Sequence, residues 1–103
     1  MMIIETREVG DELTFKVEGR LTGAGVATLE DCWRTAVGRY PHGRLAVDLT
    51  QVTFIDQAGS LLLQLMDRDG VTFVTAGLMT DEVSEILGRN KTGRDKTERN
   101  KKS

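Results

Sequence analysis

The hydrophobic pattern of this chain passes repeatedly from a period of two residues to one near 3.6, and that alternation limits the folds open to it. Leu13, Phe15 and Val17 alternate with Thr14, Lys16 and Glu18, as in a strand with one buried face. Ile3 to Glu8 precedes it, and Gly10-Asp11 between the two tolerates positive φ. The chain is therefore expected to open with an antiparallel hairpin. From Ala24 to about Gly38, Val26, Leu29, Trp33, Ala36 and Val37 share one helical face, with Thr22 as the N-cap and Gly38 as the stop. Leu45 to Leu49 is nearly all apolar and reads as a buried strand. Val52-Thr53-Phe54-Ile55 then leads into Asp56-Gln57-Ala58-Gly59 and a second helix reaching about Arg68. Its apolar stripe reads as Ala58, Leu61, Leu62, Leu65 and Met66, with Asp56 as the N-cap carboxylate at the positive end of the helix dipole. Asp69-Gly70 ends that helix, Val71 to Val74 is a further strand, and Thr80-Asp81-Glu82 opens a last helix ending near Leu87-Gly88. The order is β-β-α-β-α-β-α. Strands joined through helices pair in parallel, so the expected fold is α/β, a mixed sheet with an N-terminal hairpin and packed helices.

At 103 residues the chain has room for one domain. No apolar run approaches the about 20 residues that cross a bilayer. Met1-Met2-Ile3-Ile4-Glu5 lacks the basic start of a signal peptide. The lone Cys32 cannot close an internal disulfide, which suits a reducing cytoplasm. Charge is divided unevenly. Residues 89 to 103 hold seven of the 14 Lys and Arg and two of the 16 Asp and Glu, a formal +5, leaving −7 on residues 1 to 88. The expected organisation is a domain over 1–88 and a polar, basic, disordered tail over 89–103. An acidic body repels phosphates, so nucleic acid is not an expected partner of the fold.

Motifs for chemistry are sparse. Gly23-Ala24-Gly25-Val26-Ala27-Thr28 imitates a dinucleotide fingerprint, but Thr28 stands at its third glycine and Arg20-Leu21-Thr22 separates strand from loop. One histidine, His42, and one cysteine, far apart, make no metal-ligand set. Asp48 lies within a buried strand and is expected to accept a local hydrogen bond. No acid–base pair, nucleophile triad or phosphate loop emerges, so neither catalysis nor a cofactor is expected.

Taken together, Gly19-Arg20-Leu21, Val47-Asp48-Leu49 and the run Val52 to Gly59 resemble the STAS domain, the module of sulfate transporters and anti-sigma factor antagonists. The resemblance spans roughly residues 3 to 88 and implies a SpoIIAA-like mixed sheet. It also implies partner binding through the loop before the second helix and through that helix's exposed start. In sporulation-type antagonists the motif runs Asp-Ser-Ser-Gly, and the serine before the glycine is phosphorylated by an anti-sigma factor kinase. In STAS subunits of lipid-transport ABC systems it resembles Asp-Thr-Ala-Gly. Here Gln57 and Ala58 occupy those places, and neither accepts phosphate. The nearest hydroxyls are Thr53 and Ser60, and Ser60 points about 200° around the helix from Ala58. Of the two, Ser60 is the phosphosite candidate, against the plainer reading of a small polar residue on the first helical turn.

The resemblance therefore implies a non-catalytic regulator whose partner surface comprises Asp56, Gln57, Ala58, Gly59, Ser60, Leu63 and Thr22. Leu63 is chosen because it falls off the expected buried stripe. The partner class is an anti-sigma factor or, alternatively, a lipid-transport ABC ATPase. A small-molecule or nucleotide sensor is the further alternative. STAS domains usually continue past this last helix, so an uncovered sheet edge is expected, open to a homodimer or a partner strand.

Overall fold

A computed structural model describes residues 2–40 and 43–88. β1 (Met2–Val9) and β2 (Glu12–Leu21) form the expected hairpin, followed by α1 (Gly23–Arg39), β3 (Arg44–Ile55), α2 (Gln57–Arg68), β4 (Thr72–Val74) and α3 (Leu78–Ile86). The hairpin register runs from Met2↔Gly19 to Val9↔Glu12. Gly10 turns it with a φ of 61°, a left-handed conformation costing other residues about 1–2 kcal/mol. β3 pairs in parallel with β2 and with β4, so the strands lie in the order β1-β2-β3-β4. The chain is thus a mixed α/β fold with the element order expected. The polar segment 89–103 and His42 lie outside the described residues.

One helix cap and two helix boundaries differ from expectation. Thr22 stands at the N-cap of α1 in extended backbone, yet its side chain makes no capping hydrogen bond. Gly38 does not stop α1, which runs on to Arg39 and closes with the Tyr40 N–H donating to the Ala36 carbonyl. Gly38 is exposed, so its lack of a side chain leaves nothing unfilled there. α3 starts at Leu78 after Gly77, whose φ of 63° makes the turn. Thr80 therefore lies inside the first turn, and Asp81 supplies the acidic charge near the positive end of the helix dipole.

The burial rhythm of β3 departs from strict alternation. Between Lys16 and Glu18, and again between Gly19 and Arg20, the β2–β3 register shifts. Lys16↔Asp48 is followed by Glu18↔Gln51, then Gly19↔Val52 by Arg20↔Phe54, so at each step β3 carries one extra residue, as in a bulge. Leu49, Val52 and Ile55 are consequently all buried at spacings of three. The shifts also set Leu21 opposite Ile55, beneath the start of α2.

One core cluster joins Leu13, Phe15 and Val17 of β2 with Val47 and Leu49 of β3. Val26, Leu29 and Trp33 of α1, Leu62, Leu63 and Met66 of α2, and Val83 of α3 belong to it as well. Burying each large aliphatic side chain contributes about 1.5–3 kcal/mol, and the helices are held to the sheet by this cluster. The partners of Leu13, Phe15 and Val17 on β1 are Glu8, Thr6 and Ile4, so the remaining positions Ile3, Glu5, Arg7 and Val9 belong to the other face. All four are exposed.

Candidate partner-binding corner

The corner lies where β3 passes into α2. Ile55 is 5% exposed and ends the strand in the core. Asp56 follows in extended backbone, with φ −85° and ψ −177°, which leaves its side chain free to turn back on the helix. Its Oδ1 accepts from the Gly59 N–H at 2.7 Å, satisfying one of the otherwise unpaired first-turn donors. Its Oδ2 accepts from the Gly23 N–H at 3.2 Å. One carboxylate thus serves the first turns of both α1 and α2. The Asp56 N–H in turn donates to the Leu21 carbonyl at 3.2 Å. Thr22 is expected to cap α1, but Asp56 reaches across the fold and does so instead.

Gly59 has a different task from that of a surface residue. A β-carbon there would stand 2.9 Å from the Leu21 carbonyl oxygen and 2.9 Å from Ile55 Cγ2. The first turn of α2 is therefore pressed against the ends of β2 and β3, and Gly59 is buried. This contact sets the rotation of the helix. Gly59, Leu62, Leu63 and Met66 face inward, whereas Leu61 is 54% and Leu65 46% exposed. The expected stripe through Ala58, Leu61 and Leu65 is in fact the outer face. Leu63, expected to be exposed, has no exposure at all, so neither it nor Gly59 presents contact surface. Two overlapping apolar stripes are available in Leu61-Leu62-Leu63-Gln64-Leu65-Met66, and periodicity cannot choose between them. The glycine in the first turn was the signal that could have chosen.

Of the other expected site residues, Gln57 and Ala58 are exposed and adjacent to Asp56. Ser60 is half-buried, and its hydroxyl donates to the Asp56 carbonyl at 3.1 Å. The Thr53 hydroxyl donates to the Gly19 carbonyl at 3.3 Å. Thr22 lies beside the corner, lining a groove with Met2, Ile4, Arg20 and Gly25. Missed by sequence reasoning was the exposed apolar strip that continues the corner along α2. Ala58, Leu61 and Leu65 follow one another at i, i+3 and i+7, and Leu65 shares a groove with Trp33 and Val37 of α1, flanked by Arg34 and Arg68. Nearby, the Arg20 guanidinium sits 4.7 Å from the centre of the Phe54 ring, a cation–π contact on an aromatic that is 42% exposed.

Asp48 accepts from the Thr50 hydroxyl at 2.7 Å and the Thr50 N–H at 2.9 Å, the local bond expected of it. Those donors hold its carboxyl below the usual range. The Thr50 hydroxyl has the largest effect, and Lys16 and Arg7 add to it against the opposing push of burial. Among the described residues no His, Cys, Asp or Glu side chains gather as a metal-ligand set, and no helix is long and apolar enough to cross a membrane.

A mixed sheet opening with a hairpin, with an acidic residue capping a leucine-rich helix after a buried strand, defines the SpoIIAA-like fold on which STAS domains are built. Solved structures bear this out. The chain is similar to the anti-sigma factor antagonist SpoIIAA in its unphosphorylated form, with a TM-score of 0.65 at 16% identity over 81% of this chain and 82% of that one. A protein of the DUF3478 family with a SpoIIAA-like fold from Shewanella loihica PV-4 matches with a TM-score of 0.57 at 18% identity, over 84% and 77% of the two chains. An antisigma-factor antagonist STAS domain from Rhodobacter sphaeroides gives 0.50 at 22% identity, over 84% and 95%. At the level of sequence, no family model and no curated protein matches the chain. At these identities the likeness is one of fold.

Proposed function

We propose that this chain is a non-catalytic, cytoplasmic STAS-type regulator that captures a partner protein at the start of α2, without control by phosphorylation at the usual place. The observation that supports this most is the outward face of α2. Ala58 and Leu61 lie exposed beside a rigidly capped helix start, and Leu65 extends the same strip. Small, uncharged Ala58 lets a partner approach closely, and Gln57 adds an amide that both donates and accepts. Phosphate at residue 58 would bring about −1.5 to −2 charge and repel an acidic partner surface. Alanine keeps the surface in its uncharged form permanently. Asp56 acts as a positioning residue, holding the corner rather than touching the partner.

The test is affinity capture from native lysate with wild type, Ala58→Glu and Leu61→Asp. Loss of the same specific protein from both variants supports the reading, and an anti-sigma factor among the lost proteins is the expected identity. An ABC ATPase in that position would place the chain in a transport assembly instead. Capture of an identical set by all three proteins would refute the α2 surface. Incubation with an anti-sigma factor kinase should leave the chain unmodified.

A further inference from the structure

One border of the sheet is a long strand without a neighbour among the described residues. β1, Met2–Val9, pairs only with β2. Free edges are templates for strand addition, and proteins blunt them with charged side chains, lysine above all, with proline or with bulges. β1 carries the charges Glu5, Arg7 and Glu8, which a partner strand must accommodate. β1 has no lysine and no proline, and its register with β2 is unbroken from Met2 to Val9. A two-residue loop closes the hairpin at Val9↔Glu12, so that pair is a hydrogen-bonded one and such pairs recur at every second residue. Ile3, Glu5, Arg7 and Val9 therefore spend their main-chain groups on β2. Ile4, Thr6 and Glu8 direct theirs outward.

The side chains on this edge complement a second copy of themselves. With a twofold axis at Thr6, antiparallel pairing sets Thr6 opposite the partner's Thr6 and Ile4 opposite the partner's Glu8. These are the residues whose N–H and C=O groups are free. On the face away from the core cluster, Glu5 meets the partner's Arg7 and Ile3 meets the partner's Val9, and symmetry repeats each pair. Ile3 and Val9 are 54% and 67% exposed in the single chain, and cross-strand apolar and opposite-charge pairs are what stabilise a sheet. Moving the axis to Glu5 or to Arg7 sets like charges against each other. On the core-facing side, Ile4 meets the aliphatic stem of the partner's Glu8. In each chain the Glu8 carboxylate accepts a hydrogen bond from the Tyr40 hydroxyl, which keeps it clear of that contact.

We propose that the chain forms a twofold dimer by antiparallel pairing of β1 with β1 of a second copy, in the register centred on Thr6. This dimer uses none of the α2 residues and stands or falls independently of the partner surface there. Sedimentation of the full chain over a range of concentrations tests it. Wild type should dimerise, Glu5→Arg and Arg7→Glu should each weaken the dimer about tenfold or more, and the two together should restore it. Thr6→Pro removes an outward N–H that β2 does not use, so it should give a monomer with an unchanged circular dichroism spectrum. If that variant fails to fold, the charge exchange still decides. A monomer at every concentration overturns the proposal. So does a dimer indifferent to the single charge changes, or one that the double change does not restore.

Discussion

Asp56 and Gly23 are 33 positions apart in the chain, and the carboxylate of the first accepts the main-chain N–H of the second at 3.2 Å. Its other oxygen is taken by Gly59 at 2.7 Å. Both helix starts are thereby tied to one side chain at the C-terminal ends of β2 and β3. Asp56→Ala removes both bonds and leaves two first-turn donors to water, and a loss of about 2 kcal/mol is expected from such capping contacts. Urea denaturation measures the loss. Hydrogen exchange should quicken at Gly23 as well as at Gly59, and an effect confined to Gly59 would contradict the double role.

Gly59→Ala sets helix propensity against packing. In an open helix the change is favourable by about 1 kcal/mol. Here the new carbon meets the Leu21 carbonyl oxygen, which is backbone and cannot swing away, and overpacking of this kind costs about 1–3 kcal/mol. The variant is expected to be net destabilised, by about 1 kcal/mol or more. A rise in melting temperature would show that the contact is looser than 2.9 Å.

Leu61 and Leu63 form a matched pair for testing the rotation of α2. Leu63→Ala empties a fully buried site and should cost about 3 kcal/mol. Leu61→Ala trims a side chain that is 54% exposed and should change stability by about 0.5 kcal/mol or less. Chemical denaturation of the two variants side by side checks this. Equal costs would mean the helix is turned the other way.

Thr50 governs how Asp48 responds to acid. The folded carboxyl is held low, first by the Thr50 hydroxyl, so its stabilisation is complete above the unfolded value of about 3.9. It is lost as the pH falls through the lower folded value. Thr50→Val is expected to cost about 1 kcal/mol at neutral pH, a deficit that shrinks as the pH drops below about 4. Urea titrations at pH 7 and pH 3 would reveal it, and a deficit independent of pH would argue against the assignment.

Local physics made the element order legible. Period-two residues at Leu13, Phe15 and Val17, the helical spacing from Val26 to Ala36, and an aspartate three residues before a glycine at a helix start each depend only on near neighbours. The Asp56–Gly59 bond spans one helical turn, so spacing alone anticipates it. Bonds between distant segments leave no such trace. The Asp56–Gly23 bond exists because parallel β2 and β3 deliver both helix starts to the same end of the sheet. The phase of α2 was undecidable for a related reason, since Leu61, Leu62, Leu63 and Leu65 offer two stripes of nearly equal apolarity. Only the close approach of Gly59 to Leu21 and Ile55 selects one, burying Leu63 and turning Leu61 outward. The sequence by itself determined which segments are strands and helices and which residue begins α2. Tertiary packing decided which face that helix shows to solvent, because that choice depends on the shape of the surface beneath it.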